Sequence, residues 1–311
     1  MPPTWKKTAI TSTLLFSTSV LAVTMNGFTI EDDALIPVDE IHGGGPARDG
    51  IPAITRPRFI PADQATGLKA ADWVLGISWN GSTRAYPIAI MNYHEIVNDR
   101  FGDKPVVVTF CPLCGSGIAY SAQVNGMEMS FGVSGLLYNS DVLLYDHQTD
   151  SLWSQMLSKA ISGPLKGSKL EMLPLTQTRW SAWRSEYPDT LVLSRDTGFT
   201  RDYDRDPYSG YQDSSGVWFP VKAKDPRYHP KERVMGVELD GKFKAYPISE
   251  LNRTKGDVKD RFAGRTLTIK FDATGGNARV YSDAGTEIPS VTSYWFAWYA
   301  FHPDTEVFQV E

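Results

Sequence analysis

The chain lacks several features that would place it in a familiar class. It has only 2 cysteines among 311 residues, which excludes a disulfide-rich scaffold and a metal site built from four thiolates. It has no basic cluster and a net charge of −5, so nucleic acid is not a predicted partner. Beyond residue 25 it has no long apolar run and therefore no second candidate membrane span.

The residues that are abundant favour strands and loops. The 20 prolines, 26 glycines and 12% aromatic residues are more typical of a strand-and-loop protein than of a helical bundle. With 41% hydrophobic residues, the chain can bury one large core or two smaller ones. We therefore predict an α+β fold that is mostly β, with short helices and long loops.

The first 25 residues are typical of an export signal. Lys6 and Lys7 precede a moderately apolar stretch from Ala9 to Val23. Neither an Ala-x-Ala cleavage site nor a lipobox cysteine follows, so an uncleaved amino-terminal anchor is the alternative to a cleaved signal peptide. In both cases we expect a periplasmic or extracellular protein that meets the membrane only through this segment.

A long internal correspondence organises the rest of the chain. The segment Val74–Ile88 matches Val234–Ile248, and Asp99–Phe101 matches Asp260–Phe262. Each copy has an Asn-Gly or Asp-Gly pair that predicts a hairpin, followed by a proline that suits the first position of a helix. We predict two related β-β-α-β-β halves produced by duplication.

This correspondence sets the predicted boundaries along the chain. They are an extended segment at 26–70, a first repeat with a central insert at 71–225, and a second, degenerate repeat at 226–311. The last part includes an aromatic helix within Ser293–Asp304, with His302 at its end.

The two cysteines lie on the second hairpin of the first copy. Cys111 and Cys114 belong to the run Val106–Tyr120, in which an apolar strand is followed by Cys-Pro-Leu-Cys-Gly and a short return strand. The second copy has Asp272 and Gly275 at the corresponding positions, so the hairpin does not need sulfur to form. We interpret the cysteines as functional additions to one copy.

The residues around the pair favour a metal site. A thioredoxin-like Cys-x-x-Cys opens a helix, whereas this pair is followed by Gly-Ser-Gly and a strand. Cys-Pro-x-Cys-Gly on a hairpin resembles the metal knuckles of rubredoxins and zinc ribbons. We predict a mononuclear copper or zinc site and leave open whether it is catalytic or redox-active. Two alternatives remain: a thiol–disulfide protein without metal, and a non-catalytic binding module with a structural disulfide.

The other ligands must come from residues other than cysteine. His94 lies on a predicted helix Pro87–Val97 and shares an apolar face with Ile90, so we predict it as the third ligand. The alternative is a core histidine bonded to a backbone group. The second copy has Thr254 or Lys255 there, which means that the histidine and both cysteines are lost together. Four polar residues of the central insert are predicted to line a substrate pocket, namely Tyr138, Asn139, Asp141 and Gln155. The alternative for Asn139-Ser140-Asp141 is an exposed bulge.

One acidic loop has the alternate spacing of a calcium site. Asp202, Asp204 and Asp206 occupy its first, third and fifth positions. Pro207 replaces the glycine expected at the sixth position, and Arg205 adds the opposite charge. We therefore favour a salt-bridged loop, with calcium as the alternative.

Six segments together carry the motifs of a known family. They are Asp49–Ala53, Thr109–Gly117, Gly135–Asp141, Leu152–Gln155, Ser194–Gly210 and Phe301–Thr305. In these motifs the chain resembles the bacterial family catalogued as domain of unknown function 3179. The resemblance covers nearly all of the chain after the leader and implies an exported bacterial protein, but it implies no activity.

Overall fold

The computed structural model describes residue 1 and residues 22–310. Its amino-terminal part consists of short strands and one helix. In chain order these are β1 (Ala22–Met25), β2 (Phe28–Glu31), β3 (Ile41–Gly43), β4 (Phe59–Pro61), β5 (Trp73–Trp79), β6 (Ser82–Pro87), α1 (Ile88–His94), β7 (Ile96–Phe101), β8 (Lys104–Cys111) and β9 (Ser116–Ser121), with a 3-10 turn at Val38–Glu40.

The central part and the carboxyl-terminal part also consist of short strands and short helices. The central elements are β10 (Gln123–Val124), β11 (Met127–Glu128), β12 (Phe131–Tyr138), β13 (Asp141–Asp146), β14 (Leu152–Ser154), β15 (Lys159–Ser162), β16 (Met172–Leu173), β17 (Thr176–Arg179), α2 (Trp180–Glu186) and β18 (Leu191–Leu193). The last elements are β19 (Arg233–Leu239), β20 (Lys242–Pro247), α3 (Ile248–Leu251), β21 (Val258–Phe262), β22 (Arg265–Asp272), β23 (Asn277–Ser282), β24 (Glu287–Ile288), β25 (Val291–Tyr294), α4 (Trp295–Phe301) and β26 (Glu306–Val307). The predicted mostly β, α+β fold is confirmed.

The predicted leader meets the described structure only at its end. Residues 2–21, with Lys6, Lys7 and most of the apolar stretch, lie outside the described residues. Ala22–Met25 forms β1 and pairs with β2, and the Asn26 side chain donates hydrogen bonds to Pro46 O and Ser134 O. The folded body thus begins earlier than the leader boundary at residue 25 predicts. No helix in the described part of the chain is long and apolar enough to cross a bilayer.

The two predicted repeats have the same order of elements. The series β5-β6-α1-β7-β8-β9 corresponds to β19-β20-α3-β21-β22-β23. The likeness extends to a later strand and helix in each half, β17-α2 and β25-α4, which the sequence analysis missed. In both halves a helical tryptophan covers a strand glycine so closely that a Cβ would lie 2.3 Å or less from the ring, Trp183 on Gly76 and Trp298 on Gly236. Their origin by duplication stays a prediction.

Strands of both halves meet in one large sheet, and each half also has strands in a smaller sheet of its own, β17-β5-β6-β18-β4 and β21-β22-β23-β24. The strand order of the large sheet is β26-β20-β19-β25-β9-β8-β7, with β16 added on β9. The strand β25 of the second half joins β9 of the first half where Thr292 faces Gly117. The cysteine hairpin is therefore held inside a sheet to which both halves contribute.

The helix α1 is shorter than predicted. Pro87 precedes it with φ −61°, and the helix ends at Glu95, which has φ +56° and donates its backbone N–H to Met91 O. The left-handed conformation turns the chain, so Ile96 and Val97 begin β7 instead of continuing the helix. Their β-branched side chains suit a strand. The predicted end at Val97 is wrong for this reason.

A buried histidine at the end of the carboxyl-terminal helix should make the stability of the protein depend on pH. His302 follows α4, as expected, and stacks on Phe243 with ring centroids 3.9 Å apart. Burial lowers the pKa of His302 from 6.5 to about 3. The unfolded chain therefore binds a proton at this residue between roughly pH 6.5 and pH 3, where the folded chain does not, so stability falls as the pH falls.

We expect His302→Phe to keep the stacked ring and to flatten this pH dependence. The contribution of His302 has a limiting slope of about 1.4 kcal/mol per pH unit. Urea unfolding of the wild type and the variant at several pH values between roughly 7 and 4 measures it. Identical pH slopes in the two proteins would show that the folded state accommodates the proton.

Candidate metal centre

The cysteines sit at the tip of the β8–β9 hairpin. Cys111 and Ser116 face each other as the last pair of the ladder, and Cys114 donates its backbone N–H to Cys111 O at 3.2 Å. Gly115 has φ +59°, and a Cβ there would lie 2.9 Å from the ring of Tyr294. Both the backbone conformation and the close contact thus require glycine after the second cysteine.

A second hairpin brings a carboxylate to the sulfurs. Between β12 and β13, Asn139 and Ser140 have φ +49° and +65°, as in a two-residue type I′ turn. The Ser140 carbonyl oxygen lies 3.3 Å from Cys114 Sγ and 3.8 Å from Cys111 Sγ. The next residue, Asp141, is the first of β13 and is fully buried.

Three side chains converge at this point. Cys111 Sγ, Cys114 Sγ and a carboxylate oxygen of Asp141 all lie within 4.8 Å of one another. Ligands bound to one zinc ion at about 2.0–2.3 Å are roughly 3–4 Å apart, so small side-chain adjustments would suffice. Asp141 Oδ2 accepts the Met156 N–H at 3.1 Å, whereas Asp141 Oδ1 and the nearby Ser140 Oγ have no hydrogen-bond partner among the described residues.

The acids of this region are buried together. Burial raises the pKa of Asp141 to about 7, against the opposing effect of the Met156 N–H. Burial also raises the pKa of Glu95 to about 8, and the charge of Asp141 adds to this effect. The pKa values of the Cys111 and Cys114 thiols are raised by burial as well. Negative charge is therefore unfavourable at this point unless a cation accompanies it.

Both cysteines are free thiols and almost inaccessible. Cys111 is 2% exposed and Cys114 is 0% exposed. A redox-active pair normally presents an accessible thiol with a lowered pKa. Neither property is found here, which weighs against the thiol–disulfide alternative.

His94 does not join the group. It is buried, as predicted, but its Nδ1 contacts Pro52 O and its Nε2 contacts Tyr203 OH, each at 2.7 Å. Both ring nitrogens are therefore occupied by protein oxygens, and we remove His94 from the ligand set. The sequence placed it on the buried face of the helix correctly, but Pro52 and Tyr203 belong to distant loops that helical periodicity could not place.

The predicted pocket residues have different roles in the structure. Asp141 belongs to the candidate metal group. Gln155 accepts from Ser116 Oγ at 2.7 Å and donates to Thr109 Oγ1 at 2.8 Å, so it ties the cysteine hairpin to the loop after β14. These contacts use its amide in structural hydrogen bonds, and it is fully buried.

Tyr138 and Asn139 are structural contacts too. The Tyr138 ring packs edge-on against Phe301, with centroids 5.6 Å apart. The Asn139 side chain donates to Ala300 O at 3.3 Å and accepts the Lys222 N–H at 2.9 Å. Neither lines the main cleft, so the prediction of a pocket wall there is wrong.

The main cleft lies on the other side of the cysteine loop. It has a volume of about 850 Å³, and Pro112 and Gly115 of the loop form part of its wall. Tyr208 and Tyr211 line the same wall. Burial raises the pKa of both tyrosines, to which the charge of Cys111 also contributes. The metal group and the cleft are thus neighbours separated by one turn of chain.

The family of the chain can now be stated. A family model described as "Protein of unknown function (DUF3179)" matches residues 48–286. The chain belongs to the DUF3179 family. This confirms the predicted resemblance, although Phe301–Thr305 lies beyond the matched residues. No curated protein and no solved structure matches the chain.

Two acidic residues of this DUF3179 chain were given other roles or none by sequence reasoning. Asp141 was predicted as a pocket residue, not as a ligand, and Glu95 was not singled out. The usable signal for Asp141 was the Asn-Ser-Asp sequence, because an I′ turn fixes where the next side chain points. The usable signal for Glu95 was its position as a lone acidic residue at the end of an apolar helix.

The acidic loop of the DUF3179 chain is tied by protein contacts. Asp204 is paired with Arg195. Asp206 accepts hydrogen bonds from Asn92 Nδ2 at 3.0 Å and from the Tyr208 N–H at 2.9 Å. These contacts are those of the salt-bridged loop that the sequence favours over a calcium site.

The hairpin β22–β23, which corresponds to the cysteine hairpin but has no cysteine, indicates that the fold does not depend on the two thiols. Its tip is held by Asp272, which accepts the Thr274 N–H at 2.9 Å and an Asn277 Nδ2 hydrogen at 3.3 Å. We therefore expect the double variant Cys111→Ser/Cys114→Ser to fold, with a stability loss of about 0.5–3 kcal/mol. Circular dichroism and urea unfolding of apo wild type and variant test this, and an unfolded variant would show that the pair is structural.

Proposed function

We propose that this DUF3179 protein binds one metal ion through Cys111, Cys114 and Asp141. The observation that carries the proposal is the convergence of two thiols and a carboxylate within 4.8 Å in a buried place. The unpartnered Asp141 Oδ1 supports it, because a buried polar atom without a partner is unfavourable by about 1–3 kcal/mol. A divalent cation would coordinate all three groups and neutralise two of their three negative charges.

The ligand set favours zinc over copper. Zinc accepts sulfur and oxygen ligands in a tetrahedral arrangement, whereas copper in its reduced state prefers soft sulfur ligands alone. A carboxylate beside two thiolates is therefore better matched to zinc. Three protein ligands leave a fourth position, which is the pattern of a catalytic zinc site and not of a structural one.

We place the fourth position toward Glu95 as part of the same proposal. Glu95 lies next to the strand that carries Cys111, because the Phe110 N–H donates to Glu95 O at 2.7 Å. Burial is the main cause of the raised pKa of Glu95 and of Cys111, and the charge of Asp141 adds to the first shift and that of Glu95 to the second. Glu95 would either complete the coordination or hold the proton of a bound water. The second role is that of a general base in metal-assisted hydrolysis.

We propose in addition that the protein is exported. Support comes from Lys6, Lys7 and the apolar stretch that follows them. Cell fractionation with amino-terminal sequencing of the recovered protein tests this part. A chain found only in the cytoplasm with its first residues intact would contradict it.

The metal proposal predicts a specific loss in one variant. Asp141→Asn keeps the size of the side chain and removes its charge, so zinc affinity should fall by at least about 10–100-fold, the loss usual for a residue that merely supports a ligand. Competition with a chromophoric chelator measures the affinity. His94→Gln is the matched control, since His94 is equally buried but outside the group, and its zinc affinity should stay within about threefold of wild type.

The thiols supply an independent readout. In protein purified without oxygen, one equivalent of metal should accompany two reduced thiols, counted after unfolding. Equal affinity in wild type and Asp141→Asn would refute the carboxylate as a ligand. Metal-free protein with a disulfide in every preparation would favour the structural disulfide instead.

A further inference from the structure

Two arginines meet on one tryptophan where the halves join. Arg179 ends β17 and pairs across the ladder with Trp73, the first residue of β5. Arg233 begins β19 and pairs with Tyr294. Both guanidinium carbons lie 3.9 Å from the centre of the Trp73 ring system. The Trp73 indole therefore stacks against two cations that come from different halves.

Neither arginine has an anionic partner. In the described part of the chain, no carboxylate lies within salt-bridge distance of Arg179 or Arg233. Arg179 donates to Ala71 O at 2.6 Å and Arg233 donates through Nη1 to Gly276 O at 3.0 Å. Arg233 Nη2 is buried without any partner. These contacts satisfy some N–H groups but leave two neighbouring positive charges uncompensated.

The electrostatics agree with this geometry. Burial lowers the pKa of Arg233 to about 10, and the positive charge of Arg179 contributes. Burial also lowers the pKa of Arg179, and the charge of Asp72 only partly opposes this. The Asp72 carboxylate accepts the Lys69 backbone N–H at 2.8 Å. Two partly desolvated cations that stack on one indole favour a nearby anion.

Both arginines face the main cleft. The residues that line it include Arg179, Arg233 and the Gly115 end of the cysteine loop. Gln177, whose buried Oε1 also lacks a partner, lines it as well. Arg195, another arginine of the cleft, is paired with Asp204. Arg233 is close to the cysteine loop, because its cross-strand partner Tyr294 packs on Gly115.

We propose that the cleft binds a small organic anion whose carboxylate or phosphate group is held by Arg179 and Arg233. Guanidinium groups bind both kinds of oxyanion through paired N–H donors. Arg233 Nη2 is buried and has no hydrogen-bond partner among the described residues, so a ligand would reach it after a side-chain rearrangement. The volume of about 850 Å³ lies in the range that accommodates a small-molecule ligand.

This binding site is distinct from the metal group. Its charge comes from arginines, and neither cysteine lines the cleft. The backbone nevertheless links the two sites, since Tyr294, the cross-strand partner of Arg233, donates its N–H to Cys114 O at 2.8 Å. A ligand held by the arginines would therefore lie next to the turn that carries the cysteines.

Calorimetric titration of the full chain with inorganic phosphate and with succinate tests the proposal, in chloride buffers of matched ionic strength. We expect saturable binding of at least one probe, and the stronger of the two identifies the oxyanion class. Arg233→Gln and, separately, Arg179→Gln should weaken binding at least about tenfold, because each loses charge-assisted hydrogen bonds. Arg233→Lys should restore part of the affinity, since it keeps the charge but not the planar fork.

Two controls make the result specific. Arg195→Gln removes an arginine of the same cleft that is already paired, and it should leave affinity unchanged within about twofold. The Cys111→Ser/Cys114→Ser variant should also bind the probe normally, which separates this site from the metal proposal. Absence of saturable binding of both probes would overturn the inference. So would equal loss in Arg195→Gln and Arg233→Gln, which would indicate only a general effect of charge.

Discussion

The position of the cysteine turn relative to the cleft depends on two reciprocal backbone hydrogen bonds between the halves. The Tyr294 N–H of the second half closes the cysteine hairpin at Cys114 O, and the Arg179 N–H of the first half closes the other hairpin at Gly275 O at 3.1 Å. Each hairpin tip is thus held by a strand from the opposite half. Because of this exchange, the cysteine turn, the cleft and the two arginines lie at one junction.

The two corresponding hairpin turns at this junction differ in that only the β8–β9 turn carries cysteines. The β22–β23 hairpin is closed by the Asp272 carboxylate, which accepts a hydrogen bond within its own turn. In the first hairpin Cys111 occupies that position, and its thiol lies near the Ser140 carbonyl of a third hairpin. The scaffold therefore tolerates either residue, and what distinguishes the first tip is the acid brought to it by β13. Two buried thiols and Asp141 without a counterion are better suited to cation binding than to packing.

The sequence predicts the local parts of this picture well. The Asn-Gly and Asp-Gly hairpins, the order of elements in both halves and the cysteine turn follow from short-range rules about turns and alternation. Sequence reasoning fails for contacts between residues that are far apart along the chain. His94 was assigned from helical periodicity, yet its partners come from Pro52 and Tyr203, which no spacing rule relates to it. Asp141 and the stacking of Arg233 on Trp73 depend equally on how separate hairpins meet.

The central claim is that Cys111, Cys114 and Asp141 hold one metal ion. X-ray absorption spectroscopy at the zinc edge, on zinc-loaded protein purified without oxygen, tests it most directly. The account predicts two sulfur scatterers at roughly 2.3 Å and oxygen scatterers at roughly 2.0–2.2 Å, with one oxygen lost or lengthened in Asp141→Asn. A zinc environment without sulfur, or one unchanged by Asp141→Asn, would contradict it.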